Sequence, residues 1–408
     1  MSGFLFVVPP LTGHINPAAG VAAELAARGH RVAWACADPG LVRRLAGEGA
    51  VVFPCDGPVP GSGEGVRPPE IRGPEALKFL WERFLVPLAE EMAPGVRAAV
   101  QEFGPDVVVA DQQALAGALV AERLGVPWAT SATTSAEFTD VLAGMPKVAE
   151  WLDAVLHGLR DRIGAPSGTA SDTASGTADP RFSPHLVLAF STPELVGPGA
   201  RNGDRIRWVG PSITARPAPS GFPWDWLDPA RSTVLVTLGT ANTDVGARFL
   251  RECLDALRAR ADRLQAVIAD PAGVLGAADD DKGVLILPAV PQLPLLERVD
   301  AVVCHAGHNT VCEALWHGVP LVVAPIRDDQ PVVAAQVADA GAGVRVRFGR
   351  ADAARLGAAI DAVLDEPGYR AAAGRIRTAF RAAGGAGAAA SHLERLAATG
   401  GTTPEETA

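Results

Sequence analysis

The sequence has no ordered set of cysteines. Its five, at 36, 55, 253, 304 and 312, are odd in number and show no C-x-x-C spacing, which argues against a disulfide framework and a zinc site and leaves reduced thiols as the default. Basic excess is missing too: 36 Lys and Arg stand against 46 Asp and Glu, a formal charge of −10. Without a basic field for phosphate backbones, nucleic acid is not an expected partner. No apolar stretch reaches the roughly 18 residues of a spanning helix, and the opening run 4–8 is too short and lacks the basic flank of a secretion signal. A cytoplasmic protein without stable membrane insertion is expected. No Gly-x-Gly-x-x-Gly follows the first apolar run, so a nicotinamide or flavin dinucleotide loses its main support. Lysine occurs only at 78, 147 and 282, amid abundant Ala and Arg, a composition that fits a GC-rich bacterial gene.

What is present suits two domains: 408 residues, 48% hydrophobic and 20% charged, enough to bury a core in each half. Short β-branched runs alternate with Ala/Leu-rich helical stretches, the pattern of an α/β protein with parallel sheets. Strands are expected at 4–9, 31–36, 51–54, 107–111, 127–131 and 186–191. The pattern restarts at 233–239, 264–269, 284–288, 301–305 and 320–325, so two Rossmann-like sheets follow. Residues 211–229, rich in Pro, Gly, Ser and Trp, sustain neither periodicity and read as a linker between domains 1–210 and 230–383, with a cleft beside it. Residues 165–180, almost wholly Ser, Thr, Gly, Ala and Asp, read as a mobile loop, and 399–408 as a tail.

Two constellations carry chemistry. The first strand runs into Pro9-Pro10-Leu11-Thr12-Gly13-His14-Ile15-Asn16-Pro17, where Asn16 can cap a helix and Pro17 suits its first turn. His14 is then expected on the strand-to-helix loop, where the positive helix end disfavours an imidazolium and holds it ready as a general base. Its plainer reading is a loop histidine bonded to nearby backbone. Asp111 ends another strand at the same sheet edge and can fix the tautomer of His14, or else simply cap the helix expected at 113–124.

In the second half, a strand leads into His305-Ala306-Gly307-His308-Asn309-Thr310 and a helix through Glu313. Gly307 permits a close backbone turn and Asn309 a cap, aiming N–H groups and a helix dipole at an anion such as a pyrophosphate. Gly239-Thr240 makes a second backbone approach. The plainer readings are a structural turn at Gly239 and a first-turn Glu313 that balances the helix dipole.

Val290-Pro291-Gln292, His305-x-Gly307-x-Asn309-Thr310-x-x-Glu313, Gly318-Val319-Pro320 and Asp329-Gln330 together resemble the donor signature of the UDP-glycosyltransferase family. With Gly13-His14-x-x-Pro17 and Asp111, the resemblance spans nearly the whole chain. It implies the GT-B fold, two Rossmann-like domains whose sheets face across a cleft, with the acceptor in the first half, the donor in the second, and inversion at the sugar carbon. His14 would deprotonate the acceptor and Asp111 orient it. His305 would contact the diphosphate with Asn309, Thr310, Gly307 and the Gly239-Thr240 loop. Glu313 would hold the ribose, Val290 and Gln292 would lie by the base, and Asp329 and Gln330 would bind the sugar. A last helix at 384–398 is expected to cross back to the first domain.

The chemistry requires no cofactor and no metal: a histidine base activates an alcohol, and helix termini stabilise the leaving diphosphate. Asp279-Asp280-Asp281 has an Asp-x-Asp spacing but reads as a solvated turn. Ala289 stands where many relatives stack Trp on uracil, which leaves UDP and dTDP both open. His308 and Asp328 stand where relatives often carry aromatics. Asp329-Gln330 favours a hydroxyl-rich hexose such as glucose. Phe79, Trp81, Phe84 and Phe138 are candidates for lining the site of a small apolar acceptor, or else core residues at helical spacing. The expectation is a monomeric or homodimeric hexosyltransferase acting on natural products. The alternatives are a carbon-linking transferase of the same fold, a hydrolysing epimerase and a silent nucleotide-sugar-binding auxiliary.

Overall fold

The computed structural model describes residues 1–59, 71, 73–140, 142–164, 179–214, 221–239, 246–276 and 283–400. The chain forms two α/β units, each a parallel sheet covered on both faces. The first comprises Met1–Phe190, Arg201–Thr214 and Ala383–Ala408, the second Ser191–Ala200 and Ala215–Ala382. Most of the 165–180 loop and the tail beyond Gly400, together with Thr240 and Asp279–Asp281, lie outside the described residues.

In chain order the first unit runs β1 Gly3–Val7, α1 Thr12–Ala27, β2 Arg31–Cys36, α2 Pro39–Ala46, β3 Val52–Pro54 and α3 Gly73–Leu80. One π-helical turn, Trp81–Leu85, joins α3 to α4 Val86–Phe103. Then follow β4 Val107–Asp111, α5 Leu115–Leu124, β5 Trp128–Ala132, α6 Pro146–Ile163 and β6 Leu186–Ala189. After α7 Pro193–Val196, which belongs to the second unit, β7 Ile206–Trp208 completes a sheet of order β3-β2-β1-β4-β5-β6-β7.

A strand buried on both faces must be apolar at every position, and β1 shows why. Its alternation sends Phe4 and Phe6 into one cluster with Ile15, Val21 and Leu25 of α1. Leu5 and Val7 join Leu88, Met92, Leu119 and Leu156 on the other face. Helix α5 lies so close to this face that a Cβ on Gly117 would sit 2.8 Å from Val7 Cβ and 2.9 Å from Ala110 Cβ.

The second unit runs β8 Ser232–Thr237, α8 Ala247–Arg258, β9 Leu264–Ala269, β10 Val284–Leu287, α9 Gln292–Leu296, β11 Ala301–Cys304, α10 His308–Trp316 and β12 Leu321–Val323. It continues through α11 Gln330–Asp339, β13 Gly343–Arg345, α12 Ala353–Asp365 and α13 Pro367–Ala383. Its sheet order is β10-β9-β8-β11-β12-β13. Phe249 of α8 and Ile360 of α12 fill one face, and Val311 of α10, Val333 of α11 and Phe380 of α13 the other.

The eleven strands expected from the sequence are present; β7 and β13 are additional. Both are three-residue edge strands containing an arginine, too short and polar to show a period. The domain limits also shift. Ser191–Ala200, expected in the first domain, belongs to the second unit because Leu195 is buried in that unit's core. Of the expected linker, residues up to Thr214 go with the first unit, while Trp224 and Trp226 pack against the second unit's core. Apolar anchors, not loop composition, decide these limits.

Gly384 and Gly385, at φ of 89° and 56°, break α13 from α14 Gly385–Thr399. Helix α14 then packs on α1, burying Ala389, Ala390 and Leu393 in the first unit's core. Glu394 clamps it, accepting from Arg28 at 2.8 Å and from His30 at 2.9 Å. Leu393 is fully buried, so Leu393→Ala is expected to cost about 2–5 kcal/mol. Thermal unfolding should show a lowered first-unit transition; an unchanged one would mean that α14 adds nothing to this core.

Candidate active site

In both sheets the strand order reverses at one point, between β1 and β4 and between β8 and β11. Ligands of open parallel sheets bind at the carboxyl ends beside such a reversal. His14 and Asp111 follow or end β1 and β4 at the first reversal, and Gly239 and His305 follow β8 and β11 at the second.

At the first edge, helix α1 begins earlier than the sequence suggests. The Leu11 carbonyl accepts from the amides of His14 (3.0 Å) and Ile15 (3.1 Å), so the helix starts at Thr12 and not after Asn16. His14 therefore lies in the first helical turn, with Asn16 and Pro17 inside the helix. Pro17 forfeits the bond to the Gly13 carbonyl and crowds it, a cost confined to the start of the helix.

His14 Nδ1 lies 2.9 Å from Asp111 Oδ1 and 2.7 Å from Thr133 Oγ1. Thr133 also donates to Asp111 Oδ2 at 2.9 Å. The Gln113 amide donates to Asp111 Oδ1 at 2.8 Å, so Asp111 both partners His14 and closes the turn leading to α5. The Asp111 side chain is fully buried, whereas that of His14 is 15% exposed. Beside them the Gln112 carboxamide and the Ser131 hydroxyl are buried without a hydrogen-bond partner. Buried polar atoms of this kind call for a bound ligand or ordered water.

At the second edge, His305 follows β11 directly, Ala306 takes a left-handed φ of 65°, and Gly307 is the N-cap of α10. Asn309, expected as the cap, is instead the second residue of the helix, because Gly307 with its extended backbone already starts the turn. Gly307, as the N-cap, makes no side-chain cap bond to this helix end. Glu313 stands a turn further in and is buried, so it does not serve as a first-turn dipole partner. It accepts from Gln292 Nε2 at 2.6 Å, joining the start of α9 to α10.

The His305 ring is buried, with Nδ1 lacking a hydrogen-bond partner. Burial holds its pKa down at about 4; the nearby Thr237 backbone opposes this, and the positive charge of Arg327 adds to it. Two glycines flank the ring. A Cβ on Gly239, whose φ is +68°, would lie 2.8 Å from Cε1, and one on Gly307 would overlap Nε2. Gln330 opens α11, its carboxamide oxygen accepting from the amides of Ile326 (2.9 Å) and Arg327 (3.0 Å). That bond ties down the loop in which Asp328 is left-handed at φ 56° and Asp329 is the N-cap. Thr310 is buried in α10, and Val290 is partly buried against the second unit's core.

The candidate acceptor residues divide. Trp81 and Phe138 are core: Trp81 packs with Leu88 and Met92, and Phe138 packs between the rings of Phe182 and Trp208, at 6.0 and 4.7 Å. Helical spacing and aromatic content do not separate a pocket from a core, and here the core takes these two. Phe84 is half-buried against the same core as Trp81, and Phe79 is half-buried. Sequence reasoning missed Thr133, Gln112 and Arg327. The run Thr133-Thr134-Ser135 at the end of a buried strand was the available signal, since such a position rarely carries hydroxyls without use.

Two doubly wound parallel sheets, with a histidine–carboxylate pair at one reversal and a buried histidine between glycines at a helix N-terminus at the other, define a GT-B glycosyltransferase. Residues 274–395 match the family described as erythromycin biosynthesis protein CIII-like, C-terminal domain. The chain is 31% identical to 4'-demethylrebeccamycin synthase of Lentzea aerocolonigenes over 93% of its own length and 95% of that protein's. It is also 31% identical to demethyllactenocin mycarosyltransferase of Streptomyces fradiae, over 97% and 87% respectively. A crystal structure of the glycotransferase of kitacinnamycin superposes with a TM-score of 0.74 at 27% identity, covering 97% of this chain and 98% of that one. The chain belongs to the UDP-glycosyltransferase family, and it is a glycosyltransferase of the natural-product type. Among the described residues no helix is long and apolar enough to cross a membrane.

Proposed function

We propose that the protein transfers a hexose, glucose, from UDP or dTDP to a hydroxyl of a small apolar natural product, with inversion and with His14 as general base. The observation that carries this reading is the His14–Asp111 hydrogen bond of 2.9 Å at the strand-order reversal. With Nδ1 held by Asp111, Nε2 is the nitrogen that takes the acceptor proton. The acceptor oxygen then bonds to the anomeric carbon as the carbon–phosphate oxygen bond breaks. The departing diphosphate takes the electron pair, and the N-terminus of α10 and His305 meet its charge.

Gln292 and Glu313, already bonded to each other, provide an amide and a carboxylate for the base and ribose. The Gln330 carboxamide oxygen is spent on its own loop, so its N–H groups and Asp329 face the sugar's hydroxyls. Phe79 and Phe84 supply apolar surface for the acceptor. The names of the two relatives, a rebeccamycin-type synthase and a mycarosyltransferase, support a natural-product acceptor. Mass spectrometry of the protein with UDP-glucose or dTDP-glucose and a panel of phenolic and macrolide acceptors tests the reading. A gain of one hexose supports it; nucleotide binding without transfer to any acceptor would count against it.

A pH effect follows from His305. The free imidazole titrates near pH 4 because it is buried, and a diphosphate beside it favours the protonated form and raises that value. Binding therefore takes up a proton between the two values, and affinity strengthens as pH falls from 7 toward 5. A nucleotide sugar suits the measurement because its phosphate diesters do not titrate there. Calorimetry in two buffers of different ionisation enthalpy should show uptake of up to about one proton at pH 5.5. Uptake should vanish in His305→Ala; equal uptake in the variant would remove His305 from the phosphate site.

A further inference from the structure

We propose that Thr133 is a positioning residue for the base, fixing which nitrogen of His14 carries the proton; this rests on the transferase reading of the same edge. The argument is one of donors and acceptors. A threonine hydroxyl has a single proton to give. Thr133 Oγ1 lies 2.9 Å from Asp111 Oδ2 and 2.7 Å from His14 Nδ1. The carboxylate can only accept, so the hydroxyl proton goes to Oδ2, and toward His14 the same oxygen accepts. Nδ1 must then be the protonated nitrogen, its hydrogen shared between Asp111 Oδ1 and Thr133 Oγ1.

The opposite arrangement is costly. Were Thr133 to donate to a bare Nδ1, that lone pair would face Asp111 Oδ1 at 2.9 Å. Asp111 Oδ2 would also lose its donor inside a fully buried side chain, where no solvent compensates. The hydroxyl thus excludes the tautomer that cannot act as a base at Nε2. It also holds the second carboxylate oxygen while the Gln113 amide holds the first, so the carboxylate cannot rotate away from the ring.

The sheet places Thr133 for this task. Asp111 and Ser131 are register partners on β4 and β5, and Thr133, two residues beyond Ser131, returns to the same face just past the strand. In the transfer step the acceptor proton passes to Nε2, the new carbon–oxygen bond forms and the diphosphate leaves with its electron pair. The imidazolium then gives its Nδ1 hydrogen to two acceptors instead of one.

Crossed substitutions test this. Thr133→Val keeps the shape and removes the hydroxyl; Thr133→Ser keeps the hydroxyl and removes a methyl. Thr133→Val should lower kcat roughly tenfold, the order one buried hydrogen bond is worth, with nucleotide-sugar Kd unchanged, and Thr133→Ser should restore the rate. In ¹⁵N-histidine spectra above pH 7.5, with His14 assigned by its loss in His14→Ala, wild type and Thr133→Ser should show a protonated Nδ1 and a bare Nε2. Thr133→Val should show a mixture of tautomers. A purely structural threonine would give the reverse order, with serine the more damaging change. Wild-type kcat and unchanged nitrogen signals in Thr133→Val would overturn the proposal. Should the wild-type protein transfer no sugar at all, the functional reading fails, and the nitrogen signals alone still decide the role of Thr133.

Discussion

Replacing His14 with alanine is expected to lower the transfer rate about 10²- to 10⁴-fold, the span general-base catalysis covers, while leaving nucleotide-sugar affinity unchanged. An alcohol keeps its proton at neutral pH, so without a base the attacking oxygen must carry positive charge into the transition state. No described neighbour can substitute. The Asp111 side chain is fully buried, and its oxygens are committed to the ring, the Gln113 amide and the Thr133 hydroxyl. Donor affinity should survive because the residues proposed to meet the diphosphate belong to the other unit, which has its own core. Asp111→Asn should be damaging too, since an amide can donate to Nδ1 and favour the wrong tautomer. Single-turnover transfer and nucleotide calorimetry on each variant separate the two effects. A His14→Ala protein with wild-type transfer would dismiss His14 as the base, and one that lost nucleotide binding would mean the substitution damaged more than chemistry.

The sequence made the central strands plain because each is buried on two faces, and a short, continuous apolar run such as Phe4–Val7 is what a strand covered on both sides requires. The motif residues were legible for a related reason: glycine, histidine and a carboxylate at strand ends are costly unless used. Three things were hidden. Edge strands β7 and β13 bury too little to show a pattern. Helix starts are decided by which carbonyl first accepts, and neither Asn16 nor Asn309 could be told from a cap by its side chain alone. Thr133 is 22 residues from Asp111 and 119 from His14, so its hydroxyl run marks it as unusual but the paired register of β4 and β5 is what brings it to the pair. Aromatic residues were the least informative, since Trp81 and Phe138 satisfy a core as readily as a pocket.

Gly307→Ala is expected to weaken nucleotide-sugar binding roughly 10- to 100-fold, the value of one or two charge-assisted hydrogen bonds. The substitution is a clean one. Gly307 has φ −62° and ψ 133°, a conformation alanine adopts without strain, so the backbone gives no reason for loss. The added methyl would instead overlap Nε2 of His305 and push the ring from its place. Gly239→Ala would be less clear, because its φ of +68° penalises any side chain whatever the space. The left-handed Ala306 between the two motif residues points the same way. Strain of about 1–3 kcal/mol at a non-glycine residue persists only where the surroundings enforce it, and here it folds the His305 ring back across Gly307. Calorimetric titration with UDP-glucose and dTDP-glucose reads the effect, with thermal unfolding to show that the fold is kept. If affinity is retained while the ring is displaced, His305 and the α10 turn do not hold the diphosphate, and the donor site must be sought elsewhere along this sheet edge.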